Sequence, residues 1–138
     1  MRTVVVAVDW SPESEHAVTF ACDFARARGA GIVLLHVRAP GPTSGRSSSP
    51  SKRAAAPDPP ERILDDWVSR VRDSGIAHVE SVLLDGPPVD AILTYAEAHP
   101  PDLLVFGRRG RSTGSRILGG GVASAVMQHA RWPVLLVP

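Results

Sequence analysis

Cysteine, lysine and long apolar runs are all scarce in this chain of 138 residues. Its only cysteine, Cys22, excludes an internal disulfide and cannot by itself build a cysteine-rich zinc site. No apolar run approaches the roughly 20 residues that cross a bilayer. The opening residues, MRTVVVAVDW, are too briefly apolar for a signal peptide. We therefore expect a cytoplasmic protein that makes no membrane contact.

A large charge of either sign is missing too. Lys and Arg number 15 and Asp and Glu number 14, which gives a formal net charge of +1. So small a net charge does not favour nucleic acid as a partner. The length suits one domain with a real hydrophobic core. We expect a single domain over residues 1–138 that binds no nucleic acid.

Strand-like and helix-like patterns alternate along the chain. Segments 3–9, 31–37 and 102–106 are nearly continuous apolar runs, typical of strands buried on both faces of a parallel sheet. Segment 78–84 alternates like a half-exposed edge strand, and 132–138 is a fifth strand. Helical spacing lies between them; the first helix begins at Ser11 and Pro12 and ends near Gly29. The pattern predicts an α/β fold with a parallel sheet and helices on both faces.

The segment at about 38–60 differs from both of its flanks. Pro, Ser, Gly and Ala dominate it, and such a composition cannot form a packed core. The alternation of strands and helices continues on either side. We therefore interpret the segment as a flexible surface insertion within the domain and not as a domain boundary.

A glycine-rich stretch follows the fourth predicted strand. Residues 107–124, GRRGRSTGSRILGGGVAS, carry four arginines and no acidic residue. They fit neither G-x-x-x-x-G-K-[ST] nor G-x-G-x-x-G. Glycines nevertheless let backbone N–H groups approach a phosphate, and the start of the next helix supplies more. The simpler alternative is a flexible connection with solvated arginines.

This stretch lies where ligands bind in parallel sheets. Such sheets hold ligands at the carboxyl ends of their strands, where the strand order reverses. The ends of the first, second and fourth strands would bring together Asp9, Val37 and the segment from Gly107 onward.

The spacing of three glycines resembles that of a known family. Gly107, Gly110 and Gly120 reproduce the G-2x-G-9x-G spacing of the universal stress protein family. The stretches VVVAVDWSPESEHAV, LLHV, PPDLLVFGRRG and VMQHARWPVLLVP resemble segments of that family in the same order. The resemblance covers nearly the whole chain apart from 38–60. It implies an open, Rossmann-like five-stranded sheet of order 3-2-1-4-5.

The resemblance also implies a binding site for ATP, with AMP and ADP as alternatives. By position, the resemblance places Ala7 and Asp9 beside the adenosine, and the backbone of Val37 in contact with the adenine. It places Gly107, Arg109 and Gly110 in the first turn on the phosphate side. It places Gly120, Gly121 and Val122 around the phosphates. Asp9 faces either the ribose or a metal–phosphate group. Mg²⁺ or Mn²⁺ accompanies the nucleotide without a dedicated protein site.

Two positions depart from the family pattern. Gly121 stands where the family motif has Ser or Thr, so one hydroxyl donor to phosphate is missing. The net value of a neutral hydrogen bond is about 0.5–1.5 kcal/mol, so we expect phosphate binding to weaken about ten-fold without being lost. Trp10 follows Asp9 where a small residue is common; its indole either stacks on a base or covers the sheet edge.

We assign no catalytic residue. Asp9, Ser11 and His16 suggest a triad, but Ser11 fits the role of a helix cap better. Two further histidines and two acidic pairs are expected to be structural or solvated: His36, His129, Glu13 with Glu15, and Asp65 with Asp66. Nothing obvious positions a water, so any ATP hydrolysis should be slow.

The resemblance implies two main functions; a third hypothesis, a small ATPase or nucleotidyl-transfer enzyme, would require phosphate release that Asp9→Ala abolishes. The first is a nucleotide-binding stress-response protein that transmits adenylate status to an unknown regulatory partner. The alternative is a scaffold or interaction member of the same family that binds no nucleotide. In either case the apolar last strand at a sheet edge favours a homodimer.

Overall fold

Five parallel strands form the centre of the molecule. The computed structural model describes residues 2–9, 11–38, 59–108 and 120–138. The strands are β1 (Thr3–Ala7), β2 (Gly31–Arg38), β3 (Val79–Asp85), β4 (Leu103–Gly107) and β5 (Val134–Val137). They pair in the order β3-β2-β1-β4-β5, and every pairing is parallel. The predicted strand order is therefore confirmed.

Helices connect the strands and cover both faces of the sheet. They are α1 (Pro12–Arg28), α2 (Pro60–Asp73), α3 (Pro88–Ala98) and α4 (Gly120–His129). On one face, α1 and α2 pack over side chains such as Val4, Val6 and Leu34. On the other face, α3 and α4 pack over Val5 and Leu35. Alternation along each strand thus gives the sheet two hydrophobic layers.

The predicted ends of α1 are confirmed. Ser11 is the N-cap residue with Pro12 directly after it, and Gly29 ends the helix with φ 66°. That left-handed conformation favours glycine because a Cβ is strained there. The helix therefore begins immediately after β1, and its first turn lies at the carboxyl end of the sheet.

The predicted insertion at 38–60 lies between β2 and α2. Residues 39–58 lie outside the described part of the chain. At its borders, Arg38 is the last residue of β2 and Pro60 is the first residue of α2. Within the described ranges, no helix is both long enough and apolar enough to span a membrane.

Candidate functional site

Asp9 lies at the end of β1 and is 3 % exposed. Its Oδ1 accepts hydrogen bonds from the Ser11 N–H at 2.8 Å, from the Ser11 hydroxyl, and from the Ser14 hydroxyl at 2.9 Å. The Asp9 backbone N–H in turn donates to Ser14 Oγ at 2.8 Å. Three donors on one oxygen fix the orientation of this carboxylate at the start of α1.

The second oxygen of Asp9 has a different environment. Asp9 Oδ2 is buried and has no hydrogen-bond partner among the described residues. A buried charged group usually has its hydrogen bonds satisfied, because an unpaired one costs more than a typical bond gains. An unpaired carboxylate oxygen at the carboxyl end of a parallel sheet is therefore the clearest sign of a ligand contact.

A cleft between α1 and α2 borders Asp9. Its volume is about 310 Å³, and it is lined by Asp9, Ser11, Pro12, Glu15, Ile63, Asp66, Trp67 and Arg70. Arg70 lies over the Trp67 ring at 4.4 Å and pairs with Glu15 at 3.3 Å. Three carboxylates against one guanidinium leave the lining net negative. Such a cleft suits polar hydroxyl groups better than phosphates.

Gly107 ends β4 and touches the first turn of α1. A Cβ at this position would lie 2.5 Å from the Glu13 carbonyl oxygen, a distance that real Cβ atoms essentially never show. Close packing of α1 on β4 thus requires glycine here, whether or not a ligand binds. The same contact joins the β4 end to the turn that holds Asp9.

The Glu13 side chain is less exposed to solvent than the sequence predicts. We expected the Glu13–Glu15 pair to form a solvated helix face, and Glu15 is exposed. Glu13 Oε1, however, is buried and has no hydrogen-bond partner within the described ranges. Glu13 as a whole is half-buried, so the expectation is wrong for this oxygen only, because helical periodicity does not show that α1 begins packed against the end of β4.

Val37 and Ala7 are buried on the α3–α4 face of the sheet. The Gly31 N–H donates to Arg2 O, and Leu35 O accepts from the Val8 N–H, so odd-numbered residues of β2 bond towards β1. By the alternation of a strand, the Val37 N–H and C=O point the same way, past the last residue of β1. The Val37 side chain is therefore core, and its backbone is what faces the strand ends.

The start of α4 contains three of the residues that the family resemblance assigns to phosphate binding. Gly120, Gly121 and Val122 form its first turn, where backbone N–H groups have no partner inside the helix. No acidic residue lies in that turn. Val122 packs partly against the α3–α4 core, so only its backbone faces a ligand in our interpretation. Arg109, Gly110 and Trp10 lie outside the described residues.

Asp9, Ser11 and His16 do not form a catalytic triad. Ser11 Oγ bonds to Asp9, but the Nδ1 of His16 lies 3.1 Å from Pro138 O, directly after β5. His36 Nδ1 lies 2.7 Å from Val8 O inside the core. Across the described ranges, no group of three or more His, Cys, Asp or Glu side chains could hold a metal ion.

Ser14 is the site residue that the sequence prediction missed. It is 1 % exposed and contacts Asp9 through both its donor and its acceptor capacity. The signal was present as the spacing D-x-S-x-x-S over residues 9–14. Only its first serine was given a role, because a serine in the first turn of a helix commonly bonds to nearby backbone groups or to water.

The parallel sheet of order β3-β2-β1-β4-β5, with buried Asp9 at the point where the strand order reverses, defines a Rossmann-like α/β protein. The full chain, residues 1–138, matches the universal stress protein family, and the protein belongs to that family. A universal stress protein of Mycobacterium tuberculosis is 33% identical over 140 residues, which cover 99% of this chain and 95% of that protein.

Two solved structures of relatives contain adenine nucleotides. A universal stress protein in complex with cAMP is 30% identical, has a TM-score of 0.73, and matches 99% of this chain and 96% of its own. The universal stress protein of Archaeoglobus fulgidus in complex with dAMP is 29% identical, has a TM-score of 0.68, and matches 100% of this chain and 98% of its own. Both ligands are adenine nucleotides with a single phosphate group.

Proposed function

We propose that this protein binds an adenine nucleotide at the carboxyl ends of β1, β2 and β4 and acts as a regulatory protein. The observation that carries the proposal is the buried Asp9 Oδ2, an acceptor without a partner among the described residues. Relatives that bind cAMP and dAMP support the same ligand class.

The adenosine lies on the Asp9 side of the proposed site. Asp9 Oδ2 accepts a hydrogen bond from a ribose hydroxyl, and the backbone of Val37 meets the adenine beside Ala7. A ribose contact is favoured over a phosphate contact because Glu15 and Asp66 add negative charge to the neighbouring cleft. The ribose alternative for Asp9 is therefore the one we retain.

The phosphates lie at the first turn of α4. The free N–H groups of Gly120, Gly121 and Val122 and the helix dipole favour an anion there. Gly107, Arg109 and Gly110 complete this side in the proposal. A divalent ion such as Mg²⁺ or Mn²⁺ takes most of its ligands from the phosphates and water, as Mg²⁺ commonly does with nucleotides.

Titration calorimetry tests the proposal directly. ATP, AMP and cAMP are titrated separately into the purified protein, with and without Mg²⁺. We expect saturable heat with at least one of them and a matching rise in melting temperature, since a ligand that binds only the folded state stabilises it. Absence of both signals at millimolar nucleotide would contradict nucleotide binding.

Asp9→Ala tests the residue that carries the proposal. A hydrogen bond to a charged group contributes about 1.5–3 kcal/mol, so we expect the Kd for AMP to rise roughly ten- to hundred-fold. Asp102→Ala is the control, because Asp102 lies at the opposite end of the sheet and accepts from the Thr3 N–H. Equal losses of affinity in both variants would mean that Asp9 does not contact the nucleotide.

The scaffold alternative needs only an exposed apolar edge, which is present whether or not a nucleotide binds. Leu136 of the edge strand β5 is 37% exposed, and Met127 of α4 is 46% exposed. An apolar sheet edge of this kind favours pairing with a second copy. Under this alternative the protein forms the same homodimer, titrates with no adenine nucleotide and acts only through partners.

A further inference from the structure

The first turn of α1 contains a buried hydroxyl that the proposed nucleotide contacts do not use. Ser14 is 1% exposed, and both of its hydrogen-bonding capacities are directed at Asp9. A serine hydroxyl has one proton to donate. The Ser14 hydroxyl donates that proton to Asp9 Oδ1, and Ser14 Oγ accepts a hydrogen bond from the backbone N–H of Asp9. Ser14 therefore holds Asp9 by its main chain and by its carboxylate together.

The proton count shows why only one oxygen of Asp9 stays open. Ser11 donates its N–H and its hydroxyl proton to Oδ1, and Ser14 donates the third proton. Three donors saturate Oδ1 and fix the plane of the carboxylate. Oδ2 alone is then left to accept from a ligand, in one direction.

Ser11 and Ser14 do not contribute in the same way. Ser11 is the N-cap residue, whose Oγ accepts from the Ser14 N–H, so its loss weakens the helix as well as the network. Ser14 lies inside the helix, and its side chain makes no helix-capping bond. Both of its side-chain hydrogen bonds are to Asp9, so Ser14 positions Asp9 whereas Ser11 also caps the helix.

We propose that Ser14 is a positioning residue that orients Asp9 Oδ2 towards a ribose hydroxyl of the bound nucleotide. This inference rests on the proposed nucleotide function. If Ser14 has this role, the contribution of the ribose to affinity depends on a side chain that never touches the ligand, whereas the contribution of the phosphates does not. A carboxylate free to rotate loses part of the gain from a hydrogen bond, because it must be ordered on binding.

The test compares two ligands on one variant. Isothermal titration measures Kd for AMP and for 2′,3′-dideoxyadenosine monophosphate, which lacks both ribose hydroxyls. For Ser14→Ala we expect the Kd for AMP to rise about three- to ten-fold and that for the dideoxy analogue to stay unchanged. Thr19→Ala, which removes an exposed hydroxyl of the same helix, should change neither value.

A double-mutant cycle separates positioning from general damage. In an Asp9→Ala background, Ser14→Ala should have no further effect on AMP affinity, since the side chain that Ser14 orients is gone. If Ser14→Ala does not fold, Ser14→Cys keeps a similar shape with a weak donor and should show the same selective loss. Melting temperatures identify any variant that is merely unfolded.

The outcomes distinguish this inference from the proposed function. Equal losses for both ligands, or an additive loss in the Asp9→Ala background, would overturn the positioning role while nucleotide binding stands. Wild-type protein that binds AMP and the dideoxy analogue equally would do the same, because no ribose contact would exist. Wild-type protein that binds neither would overturn the proposed function itself.

Discussion

At the scale of single residues, two glycines at motif positions differ: Gly107 is a glycine of the motif, whereas Gly121 replaces its Ser or Thr. Gly107 lies against the backbone of Glu13, so packing alone requires its missing side chain. At Gly121 a Cβ would meet nothing within 4 Å. A motif associated with phosphate binding therefore combines a structural requirement with a position where other residues fit.

This contrast gives a stability prediction. Gly107→Ala should lower the free energy of unfolding by about 1–3 kcal/mol, because overpacking forces the α1 backbone to shift. Gly121→Ala should leave stability unchanged or raise it slightly, since alanine is the better helix former. Urea denaturation of both variants measures the difference. A Gly107→Ala protein as stable as the wild type would mean that α1 and β4 do not pack as described.

Gly121 also allows a gain of affinity to be predicted. Gly121→Ser restores the hydroxyl that the family motif carries, in open space at the first turn of α4. We expect the Kd for ATP to fall by up to about ten-fold, the value of one added hydrogen bond to phosphate. Gly121→Ala is the control for the helix effect. A serine variant that binds ATP no better than the alanine variant would place the phosphates elsewhere.

At the scale of elements, the buried strands were the most predictable part. The runs in β1, β2 and β4 are apolar on both faces, and in a chain of alternating elements this pattern strongly favours strands at the centre of a parallel sheet. The contact between α1 and β4 was not predictable, because residues 13 and 107 are far apart in sequence. For the same reason the burial of Glu13 and the role of Ser14 required the structure. The strand order came from the family resemblance and not from periodicity.

The pairing of β2 with edge strand β3 ends on an ion pair. Arg38 and Asp85 are register partners, and Arg38 Nε donates to Asp85 Oδ1 at 2.7 Å. The hydrogen bond from Arg38 lowers the pKa of the Asp85 carboxyl below its usual 3.8. A lowered pKa stabilises the fold above the usual value, and the contribution is lost as the pH falls through the lowered pKa.

This ion pair predicts a pH-dependent effect of Asp85→Asn. The variant should have a slightly lower urea midpoint than the wild type at pH 7, since exposed pairs contribute little. The gap should close in strong acid, where Asp85 of the wild type is protonated. Asp65→Asn, at an exposed position of α2, is the control. A gap that persists at pH 2 would mean that the carboxylate charge is not its cause.

At the scale of the whole molecule, the two edges of the sheet differ. The β3 edge ends on charged and half-exposed side chains, whereas β5 reads VLLV. Within β5, Leu135 and Val137 pack towards α1, and Val134 packs towards α4. By alternation Leu136 lies on the face of the sheet that α4 covers, and Met127 of α4 is exposed as well. An uncharged edge strand with an apolar flank is the surface on which a second copy is expected.

A homodimer through β5 is therefore the last prediction. The wild-type chain of 14.6 kDa should sediment at about twice that mass at micromolar concentration. Leu136→Lys should shift it to the monomer, because two copies related by a twofold axis would bring the new charges together. Thr94→Lys adds the same charge at an exposed position of α3, away from β5, and should leave the dimer intact. A wild-type monomer would contradict the homodimer, and a dimer that survives Leu136→Lys but not Thr94→Lys would place the interface away from this edge.

If the wild-type dimer also tightens with AMP, adenylate status and assembly are linked, since a ligand that prefers the dimer must strengthen it.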